Sequence, residues 1–162
     1  GDVLEYQIIS TLPTITSNAT SLTTYNFYDT ISEGLTYNKS LKDVKIEFFT
    51  DKDCTDKVAT WVQGDGKFTV TYSSDDRHMT IDITADGLAE INGGTENVNG
   101  KLYEGYSNYT ARVTYTATIN SNASFVFGEE GNCNEVVLTW KRTSSEYYDT
   151  LIDDAHVCAT RS

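Results

Sequence analysis

Hydrophobic and polar residues alternate along most of the chain, in short runs separated by turn-forming residues. The run at 4–8, LEYQI, alternates in this way, and Tyr25, Phe27 and Asp29 occupy alternate positions of the next run. Side chains at alternate positions of a β-strand share one face. The pattern therefore predicts strands, and it places the Asp29 carboxyl on the same face as two aromatic rings.

The same alternation, with turn residues between the runs, predicts most of the remaining structure. Further strands are expected at 44–49, 79–84, 109–119, 134–140 and 152–158. The segment 59–72 is predicted to form a hairpin, because Asp65-Gly66 can supply the positive φ angles of a tight turn. Residues 85–91 are expected to form one or two helical turns, although Gly87 disfavours a helix.

These segments add up to about eight to ten strands and at most one short helix, at the spacing of an all-β sandwich. A chain of 162 residues fits one domain, 1–162. It begins in mid-pattern at GDVLEYQIIS, without Met. We therefore expect a fragment of a longer multidomain protein that lacks the start of its first strand.

The charge of the chain narrows the classes of partner. A formal net charge of −12 repels the phosphates of nucleic acids and anionic membrane surfaces. No run reaches the roughly 20 apolar residues of a membrane span. Neither nucleic acid nor membrane is expected as a partner.

Metal and cofactor chemistry find little support in the sequence. The stretch DKDCTDK at 51–57 begins like a calcium loop, but Asp56 and Val62 stand where an EF-hand needs glycine and glutamate. A solvated turn is the preferred interpretation, with an adventitious cation site as the alternative. His78 and His156 have no neighbouring ligand set. No metal site, no cofactor and no enzyme activity on a separate substrate are predicted.

Three cysteines, Cys54, Cys133 and Cys158, leave the disulfide pattern open. Their spacing matches no zinc motif. Three scattered thiols are one interpretation, and a bond from Cys133 to either of the other two is the other.

A second inward-facing polar residue lies near the end of the chain. In CNEVVLTW, Asn134 shares a strand face with Val136, Leu138 and Trp140. Burying an amide or a carboxyl without a partner costs on the order of 1–3 kcal/mol, so Asn134 and Asp29 each need a specific reason. One simple reason is local: Asp29 caps the turn near Ser32, and Asn134 bonds a neighbouring backbone edge.

A family resemblance offers another reason. The ordered set GDVLEYQI, YNFYDTISEGLTYN, VTYTATINSNA and NEVVLTW, from Gly1 to about Trp140, resembles the CnaA-like isopeptide-forming domain of Gram-positive fimbrial proteins. The resemblance implies an Ig-like sandwich in which a strand lysine bonds to Asn134, the acceptor, with Asp29 as the promoting acid. Burial fits these roles, because it raises the pKa of a carboxyl and lowers that of an amine. A protonated Asp29 would then donate to the Asn134 carbonyl.

The chain differs from the family at the position of the donor lysine. Family members carry the lysine a few residues before the glycine-acid pair that is here Gly1-Asp2, and the first lysine of this chain is Lys39. We therefore predict no donor lysine and no internal isopeptide bond within these residues. Either the donor lies upstream of the chain, or the bond of the family has been lost.

The resemblance implies a structural domain of a fimbrial shaft or adhesin, extracellular and anchored to the cell wall. Its expected partners are neighbouring domains of the same protein and other pilin subunits. An adhesin sandwich that binds a host matrix protein or a glycan is the alternative. The tyrosine-rich stretch with Tyr103, Tyr106 and Tyr109 is the candidate surface for that binding.

Overall fold

The computed structural model describes residues 1–15, 20–94, 104–121, 133–142 and 153–158. Within them lie ten strands, one α-helix and a 3-10 turn at Lys39–Leu41. The elements are β1 (Val3–Thr11), β2 (Leu22–Thr30), β3 (Leu35–Tyr37), β4 (Lys45–Phe49), β5 (Lys57–Val62), β6 (Phe68–Tyr72), β7 (His78–Ile83), α1 (Ala85–Asn92), β8 (Thr110–Ile119), β9 (Cys133–Arg142) and β10 (Asp153–Cys158).

The strands form two antiparallel five-stranded sheets. The first sheet has the order β1-β8-β4-β5, with β3 also paired to β8, and the second has the order β10-β9-β2-β7-β6. The predicted all-β sandwich is confirmed. Most predicted strands agree with the observed ones within a few residues, since each carries the alternation that a half-buried strand requires.

One continuous hydrophobic core fills the space between the sheets. Strands β1, β2, β7 and β8 each turn one face to this core, as their alternating burial shows. The rings of Tyr6 and Tyr115 stack with centroids 5.5 Å apart, and those of Phe48 and Trp61 meet edge to face at 4.6 Å. Aromatic packing of this kind gives buried tyrosines such as Tyr6 and Tyr115 a place in the core.

The predicted hairpin over 59–72 is wrong. The turn forms, with Gly64 and Gly66 at φ 97° and 86°, but β5 pairs with β4 in one sheet and β6 pairs with β7 in the other. The connection therefore crosses between the sheets. Trp61 and Phe68, on either side of the turn, are both buried, and their burial against the common core accounts for the crossing.

The predicted helical turns are confirmed as α1. Thr84 caps the helix by accepting a hydrogen bond from the Gly87 backbone N–H at 3.2 Å. Gly87 is tolerated for a packing reason, because a Cβ there would lie 2.3 Å from the Lys67 carbonyl oxygen. In the described part of the chain no helix has the length and apolar character needed to cross a membrane.

Candidate functional site

Two adjacent strands of the second sheet bring Asp29 and Asn134 together. Asp29 lies near the end of β2 and Asn134 near the start of β9, and the antiparallel register pairs Asp29 with Val136 and Thr30 with Glu135. Both polar side chains face the core, where Asp29 is 0% and Asn134 1% exposed. The alternation seen in the sequence thus corresponds to a buried polar pair formed by residues 105 positions apart.

The contact between them runs through the amide nitrogen. Asn134 Nδ2 donates to Asp29 Oδ2 at 3.3 Å and to the Tyr115 hydroxyl oxygen at 2.8 Å. The resemblance implied that Asp29 contacts the carbonyl oxygen of Asn134. In the structure the amide nitrogen faces Asp29 instead. A half-turn of the amide would exchange its oxygen and nitrogen, and that arrangement requires a protonated Asp29.

Two tyrosines of the opposite sheet complete the cluster. The Tyr37 hydroxyl, from β3, donates to Asp29 Oδ2 at 2.6 Å. The Tyr115 hydroxyl, from β8, donates to Asp29 Oδ1 at 2.8 Å. Tyr6 of β1 stacks on Tyr115 and closes the cluster from the side of that sheet. The carboxylate of Asp29 therefore accepts hydrogen bonds from three side chains and lies inside the sandwich.

Burial dominates the electrostatics of the cluster. Desolvation raises the pKa of Asp29 to about 6, and the hydrogen bonds from Tyr37, Tyr115 and Asn134 partly oppose that rise. Desolvation, reinforced by the charge of Asp29, raises the pKa of Tyr115 well above its ordinary value. The same two causes raise the pKa of Tyr37 and Tyr6. The phenols thus remain protonated donors, and Asp29 titrates near neutral pH.

The carbonyl oxygen of Asn134 is buried and accepts no hydrogen bond from the described residues. An unsatisfied buried carbonyl is uncommon in native structures. Lys39, the first lysine of the chain, lies elsewhere: its ammonium pairs with Asp76 at 2.5 Å, and its side chain is 45% exposed. The carbonyl of Asn134 is therefore the one group of this polar cluster that lacks a partner among these residues.

The simpler interpretation, in which Asp29 caps its own turn, is wrong. The hydrogen bonds of the Asp29 carboxylate come from Tyr37, Tyr115 and Asn134, all outside the turn near Ser32. The Asn134 amide likewise bonds to side chains of the cluster rather than to a backbone edge.

Tyr37 and Tyr115 are site residues that the sequence did not single out. Each follows a threonine in its strand and shares a strand face with apolar residues, so each has the pattern of an ordinary core aromatic. Their hydroxyl groups offer a way to find them from the sequence, because a buried tyrosine needs a hydrogen-bond partner for its hydroxyl. Inward-facing Asp29 and Asn134 were the obvious candidates for that partner.

The tyrosine-rich stretch has a different place in the fold. Tyr106 and Tyr109 stack at 5.6 Å and pack against the hydrophobic core, and the Tyr106 hydroxyl donates to Glu90 at 2.8 Å. Tyr103 lies outside the described residues. The positions of Tyr106 and Tyr109 explain them as packing residues.

The acidic stretch 51–57 is a turn between β4 and β5. Asp51 accepts hydrogen bonds from the Thr55 backbone N–H at 3.0 Å and from the Asp56 backbone N–H at 2.9 Å. This is the solvated turn that the sequence favoured. Among the described residues, no group of three or more His, Cys, Asp or Glu side chains has the arrangement of a metal site.

The sequence is similar to a known surface protein. No family model matches the chain. The chain is 28% identical over 154 residues to the trypsin-resistant surface T6 protein of Streptococcus pyogenes serotype M6. The match covers 93% of this chain and 24% of that protein, so the chain spans about a quarter of the relative's length.

Solved structures share the fold. The pilus backbone RrgB of Streptococcus pneumoniae superposes with a TM-score of 0.59 and 23% identity, over 91% of this chain and 26% of that one. Domains D2 and D3 of the major pilin SpaD from Corynebacterium diphtheriae give 0.60 and 15%, over 99% of this chain and 47% of that one. The chain has the fold of the domains that build Gram-positive pilus backbones, and the expected resemblance is confirmed.

Proposed function

We propose that this chain is a structural domain of a Gram-positive fimbrial shaft or surface adhesin, displayed outside the cell and anchored to the cell wall. We further propose that Asp29 promotes an isopeptide bond between Asn134 and a lysine upstream of the chain. The observation that carries the proposal is the buried cluster, in which Asp29 and Asn134 meet at 0% and 1% exposure. The similarity to a streptococcal surface protein supports the location.

The cluster supplies the groups that amide exchange needs. A lysine amine buried beside Asn134 would have a lowered pKa and would be a neutral nucleophile. Asp29, with a pKa of about 6, is positioned to accept and return a proton close to neutral pH. The core excludes water, which would otherwise compete with the amine.

The reaction exchanges one amide for another. The lysine nitrogen attacks Cγ of Asn134, the new C–N bond forms, and the Cγ–Nδ2 bond breaks. One hydrogen leaves the attacking amine and one is gained by Nδ2, which departs as ammonia. Asp29 lies 3.3 Å from that nitrogen, and the Tyr115 hydroxyl lies 2.8 Å from it. Both therefore contact the leaving group, and proximity inside the fold supplies the rate without a cofactor.

Such a bond would serve a structural protein rather than an enzyme with a turnover substrate. It forms once per chain, and it ties Asn134 of β9 to another strand through covalent bonds. A covalent tie across the sandwich resists the separation of strands when the protein is pulled, and so raises the barrier to forced unfolding. The same property suits a domain whose partners are the neighbouring domains and subunits of a fibre.

The test is the intact mass of the natural protein that includes the segment preceding Gly1. Bond formation predicts a mass lower than the sequence mass by one ammonia, and Asp29→Ala or Asn134→Ala should each abolish the loss. Asn26→Ala is the matched control, because Asn26 lies on the same strand as Asp29 in a position that is not fully buried. An unchanged mass in the folded wild-type protein would refute the cross-link.

The alternative of a ligand-binding adhesin gains no specific support from the tyrosine stretch. Tyr106 donates its hydroxyl to Glu90 and stacks on Tyr109 against the core. A structural domain remains the function that the geometry favours.

A further inference from the structure

We propose that Cys133 and Cys158 form a disulfide bond that fastens the edge strand β10 to β9. The proposal rests on the backbone register of β9 and β10. The two cysteines, 25 positions apart in sequence, are directly opposite each other in this antiparallel ladder. Of the pairings that the sequence left open, this register selects one. The third cysteine, Cys54, is a free thiol.

Directly opposed residues of an antiparallel ladder satisfy the backbone requirement of a disulfide. Their Cα atoms lie about 5.5 Å apart in a hydrogen-bonded pair and about 4.5 Å apart in the other kind. Both separations fall within the range of about 4.4–6.8 Å that disulfides adopt. Opposed residues also share one face of the ladder.

Cys54 lies at the other end of the sandwich and cannot compete. It belongs to the turn after β4, whose last residue, Phe49, pairs with Thr110. The end of β9 that approaches this region is Arg142, which donates to the Thr14 carbonyl at 3.0 Å. Cys133 begins the same strand, nine residues away, which in an extended strand is about 30 Å. Desolvation also raises the pKa of the Cys54 thiol, which lowers its reactivity.

The bond would lie at one end of an edge strand. In the described residues β10 is the outermost strand of its sheet, and the cysteine pair is the last pair of its ladder. The ladder's preceding pair joins Val157 to Asn134, the proposed acceptor. A covalent link at this point keeps β10 from peeling away from the strand that carries Asn134.

Oxidation would follow ordinary thiol–disulfide exchange with a low-molecular-weight disulfide. The thiolate of one cysteine attacks that disulfide and releases one thiol, and the second cysteine then attacks the mixed disulfide and releases another. Two electrons pass to the oxidant, and the two protons of the cysteines end on the released thiols. The inference uses the proposed function only for an oxidising location outside the cell. The chemistry itself does not depend on the isopeptide bond.

The experiment uses the folded protein equilibrated with oxidised glutathione, then denatured and alkylated without reductant. We expect a peptide that joins Cys133 to Cys158, and Cys54 outside any protein disulfide, recovered either alkylated or as its mixed disulfide with glutathione. The Cys54→Ser variant, as matched control, should form the same bond and alkylate nowhere. Three alkylated thiols, a bond to Cys54 or a covalent dimer would each overturn the proposal.

A second measurement separates a real constraint from incidental oxidation. Reduction should lower the thermal midpoint of the wild-type protein by about 5–15 °C, since the bond closes a loop of moderate length. The Cys133→Ser variant should unfold at that lower midpoint with or without reductant. A midpoint that reduction does not move would overturn the stabilising role. The isopeptide bond is measured separately, as the loss of one ammonia from the intact mass. A negative result for the disulfide therefore leaves the isopeptide proposal untouched, and the reverse holds as well.

Discussion

The hydroxyl of Tyr115 and the carboxylate of Asp29, 86 positions apart in the chain, meet at 2.8 Å across the middle of the sandwich. Tyr115 belongs to the first sheet and Asp29 to the second. The same hydroxyl accepts a hydrogen bond from Asn134 at 2.8 Å. One buried phenol therefore holds both residues of the proposed cross-linking site in position.

Replacing Tyr115 with Phe should destabilise the fold and make Asp29 harder to ionise. The change removes a donor from a buried carboxylate and an acceptor from the Asn134 amide, so we expect a loss of about 1–3 kcal/mol in the free energy of unfolding. The pKa of Asp29 should rise above its present value of about 6, because this hydrogen bond lowers it. Urea denaturation and carboxyl NMR titration measure the two effects.

Tyr28→Phe is the matched control for that change. Tyr28 is 43% exposed and lies one position from Asp29 on the other face of β2. Its replacement should alter the stability by less than about 0.5 kcal/mol. Equal losses from the two variants, or an unchanged Asp29 titration, would show that Tyr115 acts only as a packing residue.

Ionisation of Asp29 should lower the stability of the domain as the pH rises from about 4 to 7. Desolvation raises the pKa of Asp29 in the folded state to about 6. In the unfolded state it is about 3.9. Between these values the folded state binds more protons than the unfolded state, so stability is greatest below the lower pKa and falls as the pH passes the higher one. The contribution amounts to about 3 kcal/mol.

The Asp29→Asn variant isolates that contribution from the other carboxyl groups. Asn has nearly the same shape and does not titrate. We expect the difference in unfolding free energy, variant minus wild type, to grow by up to about 3 kcal/mol from pH 4 to pH 7. A difference that stays flat over this range would mean that the cluster does not hold the carboxyl in a desolvated state.

Glu47 should contribute more to stability than a typical surface acid. Its side chain is 6% exposed and pairs with Arg112 at 3.2 Å, Lys57 at 3.3 Å and Lys45 at 3.6 Å. Glu47→Gln removes the charge that three cations share, and we expect a loss of about 1–3 kcal/mol. The matched control is Glu33→Gln, since the Glu33 side chain is 82% exposed and should matter by less than about 1 kcal/mol. Urea unfolding in low salt measures both variants, and similar losses would contradict a special role for Glu47.

Gly87→Ala should destabilise the protein although alanine is the better helix former. The added Cβ would lie 2.3 Å from the Lys67 carbonyl oxygen and 2.7 Å from Ile83 Cγ2, so the backbone must move. We expect a loss of about 1–3 kcal/mol. Ala89→Ser, at an exposed position of the same helix, should cost less than about 0.5 kcal/mol. A stabilised Gly87→Ala protein would show that α1 packs more loosely against β7 than the structure has it.

Much of the fold was predictable because period-two alternation directly reflects the two faces of a strand. The same logic located Asp29 and Asn134 as inward-facing polar residues, and both are buried. Alternation says nothing about which sheet a strand joins. The turn at Asp65-Gly66 therefore predicts a hairpin, whereas pairing of β5 with β4 and of β6 with β7 carries the chain from one sheet to the other.

The chemistry of the site was only half visible in the sequence. An acid on an apolar face is conspicuous, but Tyr37 and Tyr115 look like any other core aromatics until the partners of their hydroxyls are known. The orientation of the Asn134 amide also depends on those hydroxyls. Contacts between residues distant in the chain decide such details, and no local pattern encodes them.

The most direct test of the central claim is a peptide map of the natural protein that includes the segment before Gly1. We predict a branched peptide in which the side chain of Asn134 is joined to an upstream lysine, with ammonia lost at that point. The Asp29→Ala protein should yield the two peptides separately. Recovery of Asn134 from the folded wild-type protein in a linear peptide, with its amide intact, would contradict the account.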